Sequence, residues 1–118
     1  MSKIIKNYSE LTRVCKSAGL WYVGSFMSEF LDKRELWSNP DKKGEFIHYM
    51  ISEYDVGDSE SSAITRINCV IRIVESNMVE NALKMVLECN DKKLGCPDAK
   101  INAQLCLNEI TEENYRST

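Results

Sequence analysis

The sequence predicts an all-α fold, a single compact bundle of five or six short helices over residues 1–118. Three observations carry this. Residues 62–90 read as two amphipathic helices hinged at Ser76-Asn77, with apolar faces wide enough to demand cover from other helices. Asn39-Pro40 and Cys96-Pro97 place proline where a helix begins, its fixed φ suiting the first turn and its missing N–H costing nothing there. No repeat, low-complexity tract or linker divides the chain, and 118 residues suffice for one core without disulfide or metal support.

Taken in order, Ser9 can cap a short helix through Ala18, closed by Gly19; Ile4, Tyr8, Leu11, Cys15 and Ala18 also fit one longer helix. Val23, Phe26, Met27, Phe30 and Leu31 then follow helical spacing, which predicts a helix over about 21–36. The aromatic and β-branched content of 20–26 suits a short strand as well. Asn39 as cap and Pro40 as first residue predict a helix from 40 to about 54. Its stripe is Phe46, Ile47, Met50, Ile51 and Tyr54, with His48, Tyr49 and Ser52 turned away. Residues 55–61 are polar, without an apolar period, and read as a loop.

In the central pair, Ile64, Ile67, Val70, Ile71 and Val74 share one face of the first helix, with Ser62 or a serine just before it as cap. Asn77 can cap the second, whose buried candidates are Val79, Ala82, Leu83, Val86 and Cys89. Glu80, Lys84 and Glu88 form a charged ladder on its far side. The stretch 99–110 fits a helix through Ala99, Ala103, Cys106, Leu107 and Ile110. Its alternation at 101, 103, 105 and 107 also fits a strand, and helix is favoured because a lone strand would lack a partner. The polar tail from about 112 is expected to fray.

Charge and cysteine usage narrow the function. The formal net charge is −3, and residues 38–62 hold six acidic side chains against two lysines. No segment is basic enough for a general phosphate-binding surface, so nucleic acid is a disfavoured partner. No apolar run approaches a membrane span, so no membrane partner is expected. Five irregularly spaced cysteines read as reduced thiols of a cytoplasmic protein.

Sites with chemistry are sparse. Cys89, Cys96 and Cys106 lack the tight pair and fourth ligand of a zinc site, and no metal or cofactor is expected. His48 is the only imidazole; with Ser52 one turn on and Glu45 and Asp55 nearby it resembles a triad only in composition. Side chains on one helix face do not converge on a carbonyl with an oxyanion hole opposite. The loop acids Asp55, Asp58 and Glu60 lack the glycine turn and distal glutamate of an EF-hand. Glycines are scattered, so no phosphate-binding loop is present.

What remains is a non-enzymatic protein-interaction module. The expectation is a small acidic prokaryotic or phage regulator or inhibitor that binds a larger macromolecular machine, such as a nucleic-acid-handling enzyme. Trp37 and Tyr49, off their helical stripes, and Asp55, Asp58 and Glu60 are the expected protein-partner contacts. The alternative is a nucleic-acid-binding accessory domain using Arg66, Arg72, Lys92 and Lys93. Against a DNA-reading helix pair, the second helix carries an acidic ladder where recognition wants Arg, Lys, Asn or Gln.

Overall fold

A computed structural model describes residues 4–54 and 59–116, with side chains for all of these except 91 and 112–116. The described chain is helical: α1 Tyr8–Ala18, α2 Leu20–Asp32, α3 Arg34–Trp37, α4 Lys43–Glu53, α5 Glu60–Glu75, α6 Val79–Glu88, α7 Asp91–Leu94 and α8 Pro97–Arg116. The bundle therefore holds eight helices among the described residues, six of them of seven or more residues, and the expectation of five or six is corrected.

The two extra helices, α3 and α7, are single turns, too short to show a period. The helix expected over 21–36 breaks at Lys33, whose N–H bonds Glu29 O. One turn of α3 then swings Trp37 back onto α2, where its indole N–H donates to Phe30 O at 2.7 Å. The second insert, α7, is built on Asn90, whose carbonyl accepts from Leu94 N–H and whose side chain accepts from Lys92 N–H at 2.8 Å.

Helix ends moved where a neighbouring residue had the better geometry. Asn7, not Ser9, caps α1: its side chain accepts from Glu10 N–H at 2.8 Å, and the Glu10 carboxylate reaches back to Lys6 N–H at 2.8 Å. Asn39 organises a turn ahead of α4, its carbonyl accepting from Lys42 and Lys43 N–H, so α4 starts at Lys43 rather than Pro40. Asn77 ends α5 instead of capping α6. Its φ of 58° is left-handed, with Asn77 N–H bonded to Val74 O and Met78 N–H to Ile73 O. A short polar side chain tolerates that conformation, and the paired bonds satisfy carbonyls that the helix end would leave open. Residues 99–110 are helical, and the helical backbone continues through 112–116, where the sequence predicts fraying.

Helix α2 lies at the centre, packed by α8, α6, α5 and α1. Its Val23, Met27 and Phe30 are fully buried, against Leu11 and Ala18 of α1, Ile67, Val70 and Val74 of α5, Leu83 and Val86 of α6, and Ala99 and Ala103 of α8 within one core. The α2–α8 approach is set by Gly24: a Cβ there would stand 2.7 Å from Ala99 O and 2.8 Å from Val86 Cγ1. Aromatic edges tie α4 to α2, through Phe30–Phe46 at 5.2 Å and Phe26–Tyr54 at 4.8 Å.

Two glycines in helices should respond to alanine with opposite signs. Gly24→Ala gains about 1 kcal/mol of helix propensity, but the new methyl meets a backbone oxygen that no rotamer can relieve, at about 1–3 kcal/mol. A net loss of up to about 2 kcal/mol is expected in urea unfolding. Gly44, with nothing within 4 Å of its added Cβ, should gain up to about 1 kcal/mol on Gly44→Ala.

Candidate functional site

Helix α1 carries Tyr8, Thr12 and Lys16 at four-residue spacing, one stripe that flanks its buried Leu11, Val14, Cys15 and Ala18. This stripe forms one wall of an open groove of about 420 Å³. Leu20 at the start of α2 floors it, and Met85, Glu88 and Cys89 at the end of α6 form the other wall, with Lys93 of α7 at the edge. A neighbouring recess of about 250 Å³ shares Lys16, Leu20, Cys89 and Lys93 and continues the groove to Trp21. Tyr8 is 58% exposed although its ring is a large hydrophobe. Along the groove the apolar Leu20 and Met85 stand with the hydroxyls of Tyr8 and Thr12, the Asn90 side chain and the charged Lys16, Lys93 and Glu88; Trp21 lines the neighbouring recess.

The platform under this groove is held at both ends. Ahead of α1, buried Ile5 donates its N–H to Ser76 Oγ at 2.8 Å, pinning the leading strand of chain to the α5 terminus. Behind α1, Gly19 turns with φ 90° and caps the helix on Cys15 O. Arg66 of α5 donates to the Ala18 carbonyl and lays its guanidinium 5.0 Å from the Trp21 ring. A cation at a helix C-terminus, bonded to a carbonyl that the helix leaves open and stacked on an aromatic face, is a structural clamp.

The sequence-predicted partner residues fall in different places. Trp37 is 3% exposed, in the core, and its indole donor is used by Phe30 O. A single-helix wheel could not show this, because the burial comes from the α3 turn. Tyr49 is half-buried; its hydroxyl donates to Glu29 at 3.2 Å and its ring lies 5.0 Å from Lys33 Nζ, while Lys33 and Glu29 pair at 3.1 Å. Glu60 is exposed in the first turn of α5, after the Ser59 cap. Asp55 and Asp58 lie outside the described residues. The structure thus brings Tyr49 to Glu29 and Lys33, and separates Trp37 from the surface.

The four cations of the alternative reading do not share one recess. Arg66 is the α1 clamp, Arg72 lines a recess between α1 and α5, Lys93 edges the groove, and Lys92 is exposed on α7. The groove itself was missed because Tyr8 and Cys89 read as core positions and Met85 falls off the α6 stripe. Lys16 and Lys93, distant in sequence, meet only once α1 and α7 are packed.

The thiols and the imidazole show no catalytic arrangement in what is described. Burial pushes Cys15 up to about 12, with nearby Cys69 adding to the shift, and burial pushes Cys106 up to about 11. Cys89 caps α6, and Cys96 lies 4.0 Å from Ser25 Oγ. Among the described residues no three His, Cys, Asp or Glu side chains group to hold a metal ion. His48 and Ser52 are both exposed on α4. Among the described residues no helix is long and apolar enough to cross a membrane.

Fold and surface together define a helical-bundle module. Comparison of the chain with family models, curated proteins and solved structures finds no match.

Two measurements check these environments. The unfolded chain releases the Cys15 proton near pH 9, whereas the native chain holds it to about 12, so the native state binds more protons in that window. Stability should fall as pH rises from 9 to 12, and Cys15→Ala should flatten that fall relative to wild type. Arg66→Gln removes a charged hydrogen bond and its aromatic contact; a loss of about 1.5–3 kcal/mol in unfolding free energy is expected.

Proposed function

We propose that this chain works by binding rather than catalysis, as a regulator that docks one helix of a larger protein assembly into the groove beside α1. The single observation that carries the reading is the groove, where the exposed Tyr8 and the apolar Leu20 and Met85 share one lining with Lys16, Lys93 and Glu88. Exposed apolar area framed by charge favours association, because docking removes that area from water while the rim selects the partner.

The occupant is an amphipathic helix with acidic residues flanking its apolar stripe. Lys16 and Lys93 edge both recesses of the groove, against the single carboxylate of Glu88. An aliphatic or aromatic anchor would fill the space between Tyr8 and Met85, and partner carboxylates would meet the two lysines.

A tagged full-length chain used as bait in its native lysate should retain a protein that Tyr8→Glu and Lys16→Glu each release. Both positions are exposed, so the fold is kept. The triple reversal Asp55→Lys, Asp58→Lys, Glu60→Lys should leave retention within about twofold. Loss on the triple reversal with retention on both groove variants would sink the groove reading and favour the acidic segment.

A further inference from the structure

We propose that Cys15 of α1 and Cys69 of α5 form an oxidisable dithiol, which a hydroperoxide converts to a disulfide that staples the two helices together. Neither cysteine lines the groove, so this inference stands apart from the docking proposal.

The register of the two helices carries the pairing. Helix α1 runs antiparallel to α5: Arg66 donates to the Ala18 carbonyl at one end, and Ile5 N–H donates to Ser76 Oγ at the other. Cys15 lies three residues before Ala18, and Cys69 three residues after Arg66. Both are therefore one turn from the same hydrogen bond, in the same direction along the pair, and stand at one level. On α1, Leu11, Val14, Cys15 and Ala18 make the buried face at i, i+3, i+4 and i+7, a four-cornered hollow of the kind that takes a side chain from a facing helix. Cys69 is the α5 side chain at that level, and it lines the recess between α1 and α5 together with Val14. Packed helices hold their axes about 8–10 Å apart with Cα atoms about 2.3 Å off each axis, so inward-facing Cα atoms approach to about 3–6 Å. A disulfide spans a Cα separation of about 4.4–6.8 Å. The two ranges overlap, so a bridge at this level fits an ordinary helix pair.

Cys69 is the point of entry. It is 9% exposed in the lining of the recess, whereas Cys15 is 1% exposed in the core. The Cys69 sulfur attacks one oxygen of the hydroperoxide; an S–O bond forms, the O–O bond breaks, and the departing oxygen leaves with the thiol proton. The product is the Cys69 sulfenic acid. The Cys15 sulfur then attacks the Cys69 sulfur; the S–S bond forms, the S–O bond breaks, and hydroxide leaves as water with the Cys15 proton. Two thiols are oxidised by two electrons in all, and the peroxide O–O bond is reduced by the same two. Burial raises the Cys69 thiol although Arg72 and then Arg66 pull it back, and the charge of a Cys69 thiolate is felt at Cys15, in agreement with the register. Both sulfurs are held protonated near neutral pH, so the pair answers slowly and records sustained rather than brief oxidant. Once closed, the bridge ties residue 15 to residue 69 and removes the freedom of that loop from the unfolded chain.

The test is prolonged incubation of the reduced full chain with hydrogen peroxide at mildly alkaline pH, followed by alkylation of the remaining thiols and tryptic peptide mapping. Peptides 14–16 and 67–72 should appear joined through Cys15 and Cys69, at a mass two hydrogen atoms below their sum. The thermal midpoint of the oxidised chain should rise by about 5–15 °C and return on reduction with dithiothreitol. Cys15→Ala and Cys69→Ala should each abolish the joined peptides and the rise, whereas Cys89→Ser should keep both. The wild-type peptide map decides the pairing even where an alanine variant fails to fold. Peptides 14–16 and 67–72 that stay separate after peroxide treatment, or Cys69 joined to any other cysteine, would overturn the proposal.

Discussion

The close approach of α2 to α8 at Gly24 governs the rest of the bundle. Helix α2 packs on α1, α5, α6 and α8, so its distance from each bears on the spacing of the others. A hydrogen at position 24 lets Ala99 O and Val86 come within reach of the α2 backbone. The inner face of α8 matches this with small side chains, Ala99, Ala103 and Cys106, all nearly or fully buried. Close-packed interiors transmit such displacements rather than absorbing them. Moving α8 outward would shift the end of α6 and α7, and with them Met85, Cys89 and Lys93 of the groove.

Aromatic side chains hold the opposite half of the molecule. The chain of edge contacts from Tyr22 through Phe30 to Phe46 joins α2 to α4, and Trp37 adds a hydrogen bond to the Phe30 carbonyl. Tyr49 closes that side through Glu29 and Lys33. These residues stabilise the fold with the groups that a partner would otherwise use: the indole N–H and the phenol are both satisfied internally. The side of the bundle richest in aromatic residues is thus poorer in available anchors than α1, which has one exposed tyrosine.

Helix class, the central pair and most of the core were legible, because burial of one face imposes a 3.6-residue period that survives in sequence. Val23, Met27, Phe30, Phe46, Met50, Ile67, Val70, Leu83 and Val86 all lie where that period puts them. The helix count was not, because α3 and α7 are single turns held by Lys33 and Asn90 rather than by a repeating pattern. Helix ends were misplaced at two caps: Asn7 takes the role expected of Ser9, and Asn77, expected to cap α6, instead stops α5 in a left-handed conformation. The candidate surface was least legible. Trp37 off its stripe suggested exposure, yet a one-turn helix returned it to the core. Lys16 and Lys93, or Arg13 and Arg72, become neighbours only through tertiary packing, which no local window records.

The proposed groove is built on α1, and the reason is mechanical. A short helix on the surface of a bundle would ordinarily fray, and its side chains would lose orientational freedom on binding. Here α1 is closed at its start by the Asn7–Glu10 pair and by Ile5 bonded to Ser76, and at its end by Gly19 and the Arg66 clamp. Fixing both ends sets the rotation of the helix, so that Tyr8, Thr12 and Lys16 face α6 while Arg13 and Ser17 face α5. Side chains on a helix fixed in this way have less orientational freedom left to lose on binding. The same clamp gives Arg66 a structural role: its guanidinium donates to the Ala18 carbonyl at the end of α1 and lies 5.0 Å from the Trp21 ring.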